Sequence, residues 1–263
     1  MTLKIAIAQM DIALGQPEIN QVTVAQYAQR AAAAGVDVLV YPEMWQTGYA
    51  LDQLPTLADR GGASTQQLLA QLAKKYHLNN VCGSVATQQG EQFYNTMYVV
   101  DQMGQLVSTY HKAHLFGLMA EEQYIAAGDH KNTFELAGVS AAGVICYDIR
   151  FPEWLRAMMA EGPQQILYVA AEWPIQRIDQ WQILLQARAI ENQAFVVAAN
   201  RVGRDADNQF GGRSLVIDPL GQIVAQARDT DEALLVVTID IADEKTVRGQ
   251  IPVFHDWRPE LYY

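Results

Sequence analysis

Along the first fifteen residues, MTLKIAIAQMDIALG, apolar and polar positions alternate so that Leu3, Ile5 and Ile7 fall on one side, the pattern of a first β-strand. Gln9 and Asp11 break the run before it resembles the apolar centre of a secretion signal. Period-three-to-four segments then alternate with short apolar runs. PEINQVTVAQYAQRAAAAG reads as a helix with Pro17 in its first turn and Gly35 at its stop. VDVLVY follows as a strand. STQQLLAQLAKKYH is predicted to be a helix opened by a Ser64/Gln67 capping box, with Leu68, Leu69, Leu72 and Tyr76 on one face. NNVCGSVAT returns to strand. In the second half, GVICY, QQILYVAA and AFVVAAN read as strands, with PEWLRAMMAEG and DQWQILLQARAIENQ as helices between them. Gly162 and Pro163 punctuate the first of these helices.

This alternation predicts an α/β architecture and one domain over residues 1–263. An internal echo adds symmetry: YVVDQMGQLVSTY around Asp101 and Gly104 matches LVIDPLGQIVAQA around Asp218 and Gly221. Each reads as strand, tight turn and strand, so two sheets with a hairpin apiece are expected, with helices outside.

Charge and composition narrow the partners. A formal net charge of −11 argues against nucleic acid or an anionic membrane surface. No apolar stretch reaches the roughly 20 residues of a membrane span, and Cys82 and Cys146 are too few for a disulfide framework, so a cytoplasmic setting is expected.

Three apolar runs end in reactive groups: VDVLVYPE at Glu43, GQLVSTYHK at Lys112 and AAGVIC at Cys146. Cys82 reads as a small buried hydrophobe. Cys146 sits at a strand-to-helix elbow, where a nucleophile is held rigidly and stays accessible. A thiol near its ordinary pKa is mostly protonated at neutral pH, and a carboxylate and an ammonium at neighbouring strand ends supply a base and a cation. A Cys–His pair is the competitor, with His111 and His114 available, but no orienting Asn or Asp stands in a familiar local pattern. A metal reading of the same histidines lacks companion ligands.

VYPEM followed by TGY, then YHKAHLF, ICYDIRFPE and ARAIENQAFVVAANRVG together resemble the nitrilase superfamily of carbon-nitrogen hydrolases, over essentially the whole chain. The resemblance implies a four-layer α-β-β-α sandwich with two pseudo-symmetric mixed sheets, dimerised through its helices. It also implies a Glu43–Lys112–Cys146 triad with no cofactor or metal, and the backbone N–H of Tyr147 as an oxyanion donor. A second glutamate is expected at Glu121, with Glu122 the alternative.

YHKAHLF, CYDIRFPEW and EWP are most similar to the omega-amidase branch, which implies release of ammonia from small linear omega-amides of the 2-oxoglutaramate, 2-oxosuccinamate or succinamate type. A nitrilase, an N-carbamoyl-amine hydrolase and a non-catalytic binding protein on the same scaffold are the alternatives. Tyr49, Phe116 and Trp173 are candidate pocket walls. Arg177 is a candidate carboxylate-binding cation, with a salt-bridged surface arginine as its other reading. Glu172 departs from the neutral residue common at its position, and an extra carboxylate there is expected to disfavour an anionic substrate.

Overall fold

The computed structural model describes residues 1–162 and 164–262; Pro163, read above as punctuation, lies outside them. One sheet contains β1 (Thr2–Gln9), β2 (Val38–Val40), β3 (Asp59–Arg60), β4 (Asn79–Val81), β5 (Val85–Gln89), β6 (Gln92–Val100) and β7 (Leu106–His111). The other contains β8 (Thr133–Leu136), β9 (Val139–Ile145), β10 (Ile166–Ala171), β11 (Phe195–Asn200), β12 (Leu215–Ile217) and β13 (Ile223–Gln226). The last strand, β14 (Ala233–Asp240), returns to the first sheet and pairs antiparallel with β1.

The strand orders match. The path β14-β1-β2-β4-β6-β7 has the same sense at every step as β8-β9-β10-β11-β12-β13, with three parallel strands at the centre and antiparallel neighbours on both sides. The two predicted hairpins occupy equivalent places. In the first, Asp101 Oδ1 accepts the N–H groups of Met103 and Gln105; in the second, Asp218 Oδ1 accepts those of Leu220 and Gln222. Gly104 and Gly221 take φ of 75° and 83°, the left-handed conformation that each turn requires. The pseudo-symmetric pair of mixed sheets is therefore as expected.

Leu3, Ile5 and Ile7 of β1 do share a face, and it packs against the second sheet with Val38, Val40, Met97 and Val99 from the same side and Ile145, Tyr168 and Val197 from across. The alternate residues Ala6 and Ala8 face outward, where helices α1 (Pro17–Ala33) and, after the short α2 (Leu54–Leu57), α3 (Ala63–Tyr76) cover the sheet. Helices α4 (Pro152–Met159) and α5 (Ile178–Asn192) cover the second sheet, and Leu155, Met158, Trp181 and Leu185 are buried beneath them. The result is an α-β-β-α sandwich, whose apolar layers are the main source of stability.

Two local expectations change. The predicted capping box at Ser64 does not form: Gly62 precedes α3, and the carboxylate of Asp59 accepts the Ser64 and Thr65 N–H groups from outside the helix. NNVCGSVAT is two strands, not one. Gly83 turns the chain between them with φ 58°, where a side chain would strike the Pro42 carbonyl.

Candidate active site

Three strand ends converge, one from each of β2, β7 and β9. Glu43 lies just beyond β2, Lys112 follows β7, and Cys146 opens a 3₁₀ turn directly after β9. Cys146 has φ 47°, a conformation that costs a non-glycine residue free energy and is kept only where the surroundings enforce it. Asp148 does the enforcing. Its buried carboxylate accepts the Ile145 N–H at 3.0 Å and the Tyr110 hydroxyl at 2.8 Å through Oδ2, and the His114 N–H at 3.0 Å through Oδ1.

Lys112 is wholly buried and donates from Nζ to Glu43 Oε1 at 2.9 Å and to Glu121 at 2.7 and 2.9 Å. Burial by itself would push the ammonium down, but the carboxylates of Glu121 and Glu43 outweigh it and hold it above the usual lysine range. Glu121 is buried and Glu122 exposed, so it is Glu121 that reaches the lysine. It also accepts the Phe116 N–H at 2.6 Å, which ties down the loop after Lys112.

Glu43 is well supplied with donors. Oε1 accepts from Lys112 and from Asn95 Nδ2 at 2.8 Å, and Oε2 accepts the Glu172 N–H at 2.9 Å. Burial, and after it the Glu43 charge, push the Cys146 thiol well above its ordinary pKa, against the opposing pull of Lys112. The resting group is a buried, 6% exposed thiol that feels the Glu43 carboxylate, not the exposed thiol of the sequence reading. It becomes a nucleophile only when that base takes its proton.

A narrow cleft borders Cys146, lined also by Tyr147, Arg150, Phe116, Glu172, Trp173, Pro174 and Arg177. Phe116 and Trp173, the candidate walls, and Arg177, the candidate cation, all line this cleft. Tyr49 is not among the residues lining this cleft: its hydroxyl lies 2.6 Å from Glu121 Oε1 and 2.9 Å from Glu43 Oε1, and its one proton serves one carboxylate at a time. Tyr147 is the second residue of the 3₁₀ turn, where a main-chain N–H has no acceptor within the turn.

The surface salt-bridge reading of Arg177 fails. Among the described residues it has no carboxylate partner and lies over the Phe116 ring at 5.4 Å. Arg150, which sequence reasoning missed although it stands in CYDIRFPE, lies over Trp173 at 4.9 Å and, among the described residues, donates only to Gln180. Two guanidinium groups without carboxylates thus share the cleft with the cysteine. Glu172 differs from expectation too. Oε2 accepts from Arg201 Nη1 at 3.0 Å, and burial, opposed by Arg201, pushes the carboxyl up to about 8. Burial thus pulls Glu172 toward its uncharged form, against the guanidinium of Arg201.

The histidines separate. His111 Nδ1 shares a hydrogen bond with Thr96 and His114 Nδ1 with Asp148, each at 2.8 Å. Among the described residues, no group of three or more His, Cys, Asp or Glu side chains is placed to hold a metal ion.

A layered sandwich with a thiol, a carboxylate and an ammonium meeting at its strand ends is the architecture of a thiol hydrolase. The carbon-nitrogen hydrolase family model matches residues 4–248, and the chain belongs to that family. It is 46% identical over 262 residues to the 2-oxoglutaramate amidase of Bacillus subtilis (strain 168), covering all of both chains. A 2-oxoglutaramate amidase of Paenarthrobacter nicotinovorans is 32% identical, over 97% of this chain and 90% of that one. Among solved structures, a CN-hydrolase superfamily protein of Xanthomonas campestris with an arsenic adduct in its active site superposes with TM-score 0.92 at 28% identity, covering 98% of each chain.

Proposed function

We propose that the protein hydrolyses the terminal amide of small omega-amides bearing a distal carboxylate, of the 2-oxoglutaramate or succinamate type, to the acid and ammonia. The observation that carries this reading is the sharing of one cleft by Cys146 and two guanidinium groups, Arg150 and Arg177, that lack carboxylate partners among the described residues. Similarity to two proteins named 2-oxoglutaramate amidase supports the same substrate class.

In this reading Glu43 takes the Cys146 proton and the sulfur attacks the amide carbon. The negative charge that develops on the amide oxygen meets Lys112 Nζ and the Tyr147 N–H, donors already in place and in a dry site, where they count for most. As the C–N bond breaks, Glu43 returns the proton to the nitrogen and ammonia leaves, with the acyl group on sulfur as a thioester. Water then gives its proton to Glu43 and its oxygen to the acyl carbon, and the thiol is restored. Glu121 keeps Lys112 charged and in position.

The reading includes a homodimer built on the α5 layer, where Ile183 and Ile190 are exposed beside Leu220 and Val224. It also includes a reducing, cytoplasmic setting, which suits two free thiols. Ammonia release from succinamate, 2-oxoglutaramate, nitriles and N-carbamoyl amines, with Cys146→Ala as control, tests the activity. Cys146-dependent release confined to carboxylate-bearing amides is expected; turnover of nitriles or carbamoyl compounds instead would overturn the substrate class.

A further inference from the structure

Among the described residues, Glu172 is the one carboxyl in the wall of the Cys146 cleft, and its hydrogen bonding is unbalanced. Its main-chain N–H serves Glu43, its Oε2 accepts from Arg201, and its Oε1 is buried with no partner among the described residues. Arg201 does not belong to it alone: the guanidinium also donates to Asp11 Oδ1 and to the carbonyls of Ile12 and Val202. Glu43, one main-chain hydrogen bond away, collects three donors besides the Tyr49 hydroxyl that it shares with Glu121. When two carboxyls share a dry site, the one with fewer donors keeps the proton. Because Oε2 faces a guanidinium, which only donates, that proton belongs on Oε1.

We propose that Glu172 sets the charge preference of the cleft: as a neutral acid its Oε1 hydroxyl donates to an oxygen of an anionic acyl chain, and its carboxylate form repels that chain. This rests on the amidase reading and sharpens it, since it explains how a site containing Glu43 and Glu121 tolerates a carboxylate-bearing substrate. The charged and titratable groups around Glu172 are Glu43, Asp205, Cys146, Arg150, Arg177 and Arg201. Burial, then Glu43 and Asp205 against the pull of Arg201, push its carboxyl up to about 8, whereas the Cys146 thiol is held well above its ordinary range.

The test compares kcat/KM for succinamate, an anion, with that for succinamide, its neutral diamide of equal length, at pH 7 and pH 9. The ratio of the two cancels titrations that affect the chemistry of both. In the unmodified protein the succinamate-to-succinamide ratio falls about tenfold over this interval, as one ionisation near 8 requires. In Glu172→Gln, whatever its absolute activity, the ratio changes less than twofold, because Arg201 holds the new side chain by its carbonyl oxygen and leaves a non-titrating N–H donor facing the substrate. A flat ratio in the unmodified protein, or an equal fall in the variant, overturns the inference while leaving the amidase reading intact. If the variant does not fold, the pH course of the unmodified protein decides alone, a midpoint near 8 supporting and a flat course overturning. No ammonia from either amide at any pH removes the amidase reading and the inference together.

Discussion

Lys112 Nζ sits 2.7 Å from Glu121 Oε1 and 2.9 Å from Glu43 Oε1, so one buried ammonium is the shared counter-ion of two carboxylates that come from different parts of the chain. Removing it leaves both without their counter-ion. Lys112→Ala is therefore expected to cost about 3–5 kcal/mol of stability, the range for breaking a buried pair, and to slow turnover by about 10²–10³-fold. Chemical denaturation and steady-state rates check the two together. A variant as stable as the parent would show that the carboxylates simply take up protons.

Cys146→Ala should abolish ammonia release and leave the fold intact, since Asp148 holds the elbow through the main chain of Ile145 and not through the thiol. Alkylation followed by peptide mapping should modify Cys146 before Cys82. Both thiols are buried, but only Cys146 borders an open cleft. Equal, slow labelling would argue for an inert scaffold.

Arg150→Ala and Arg177→Ala should each weaken use of succinamate by about 10- to 100-fold in kcat/KM, the equivalent of losing a hydrogen bond to a charged group. Succinamide, with no carboxylate, should change far less. If both substrates suffer alike, the arginines shape the cleft without reading charge.

Stability should fall as pH rises from about 5 to 8, and Glu172 is a specific cause. The native carboxyl keeps its proton up to about 8, whereas in the unfolded chain it ionises near its ordinary 4.5. Between those values the native state binds more protons, so its advantage is complete below the lower value and is lost on passing the upper. Denaturation of Glu172→Gln at pH 5 and pH 8 should show a smaller difference than the parent; a larger one would contradict the assignment.

Asp148→Ala should lower kcat more than it raises KM, because the carboxylate touches the elbow and the Tyr110 and His114 groups but not the cleft. Rescue by Asn, which keeps an acceptor in place, should be partial. A pure KM effect would locate Asp148 in substrate binding instead.

What could be read from the chain follows the range of the interactions involved. Glu43, Lys112 and Cys146 each end a strand whose apolar run is local, so their positions were legible before their meeting was. The hairpins were legible because Asp101 and Gly104, or Asp218 and Gly221, complete each turn within five residues. Asn95 and Arg201 were not, because their roles depend on partners 52 and 29 residues away. The start of α3 was misread for a related reason: Asp59, its acceptor, lies before the helix in a two-residue strand, beyond the usual capping spacing.

The twin hairpins have one more consequence. Asp101–Gln105 and Asp218–Gln222 close the same circuit of four hydrogen bonds, two to the aspartate side chain and two between main-chain groups, with lengths that agree within about 0.1 Å. Each turn closes on itself, and the first adds one tie to the sheet, the Gln102 N–H donating to Asn79 Oδ1. The five-residue segments are therefore close to interchangeable parts: a chimera carrying DQMGQ at both corners should fold as the parent does, whereas DPLGQ at both puts a proline at 102 and loses that tie. The fold can thus be treated as two copies of one blueprint, with its individuality confined to the opposite end, where the copies face each other across the cysteine.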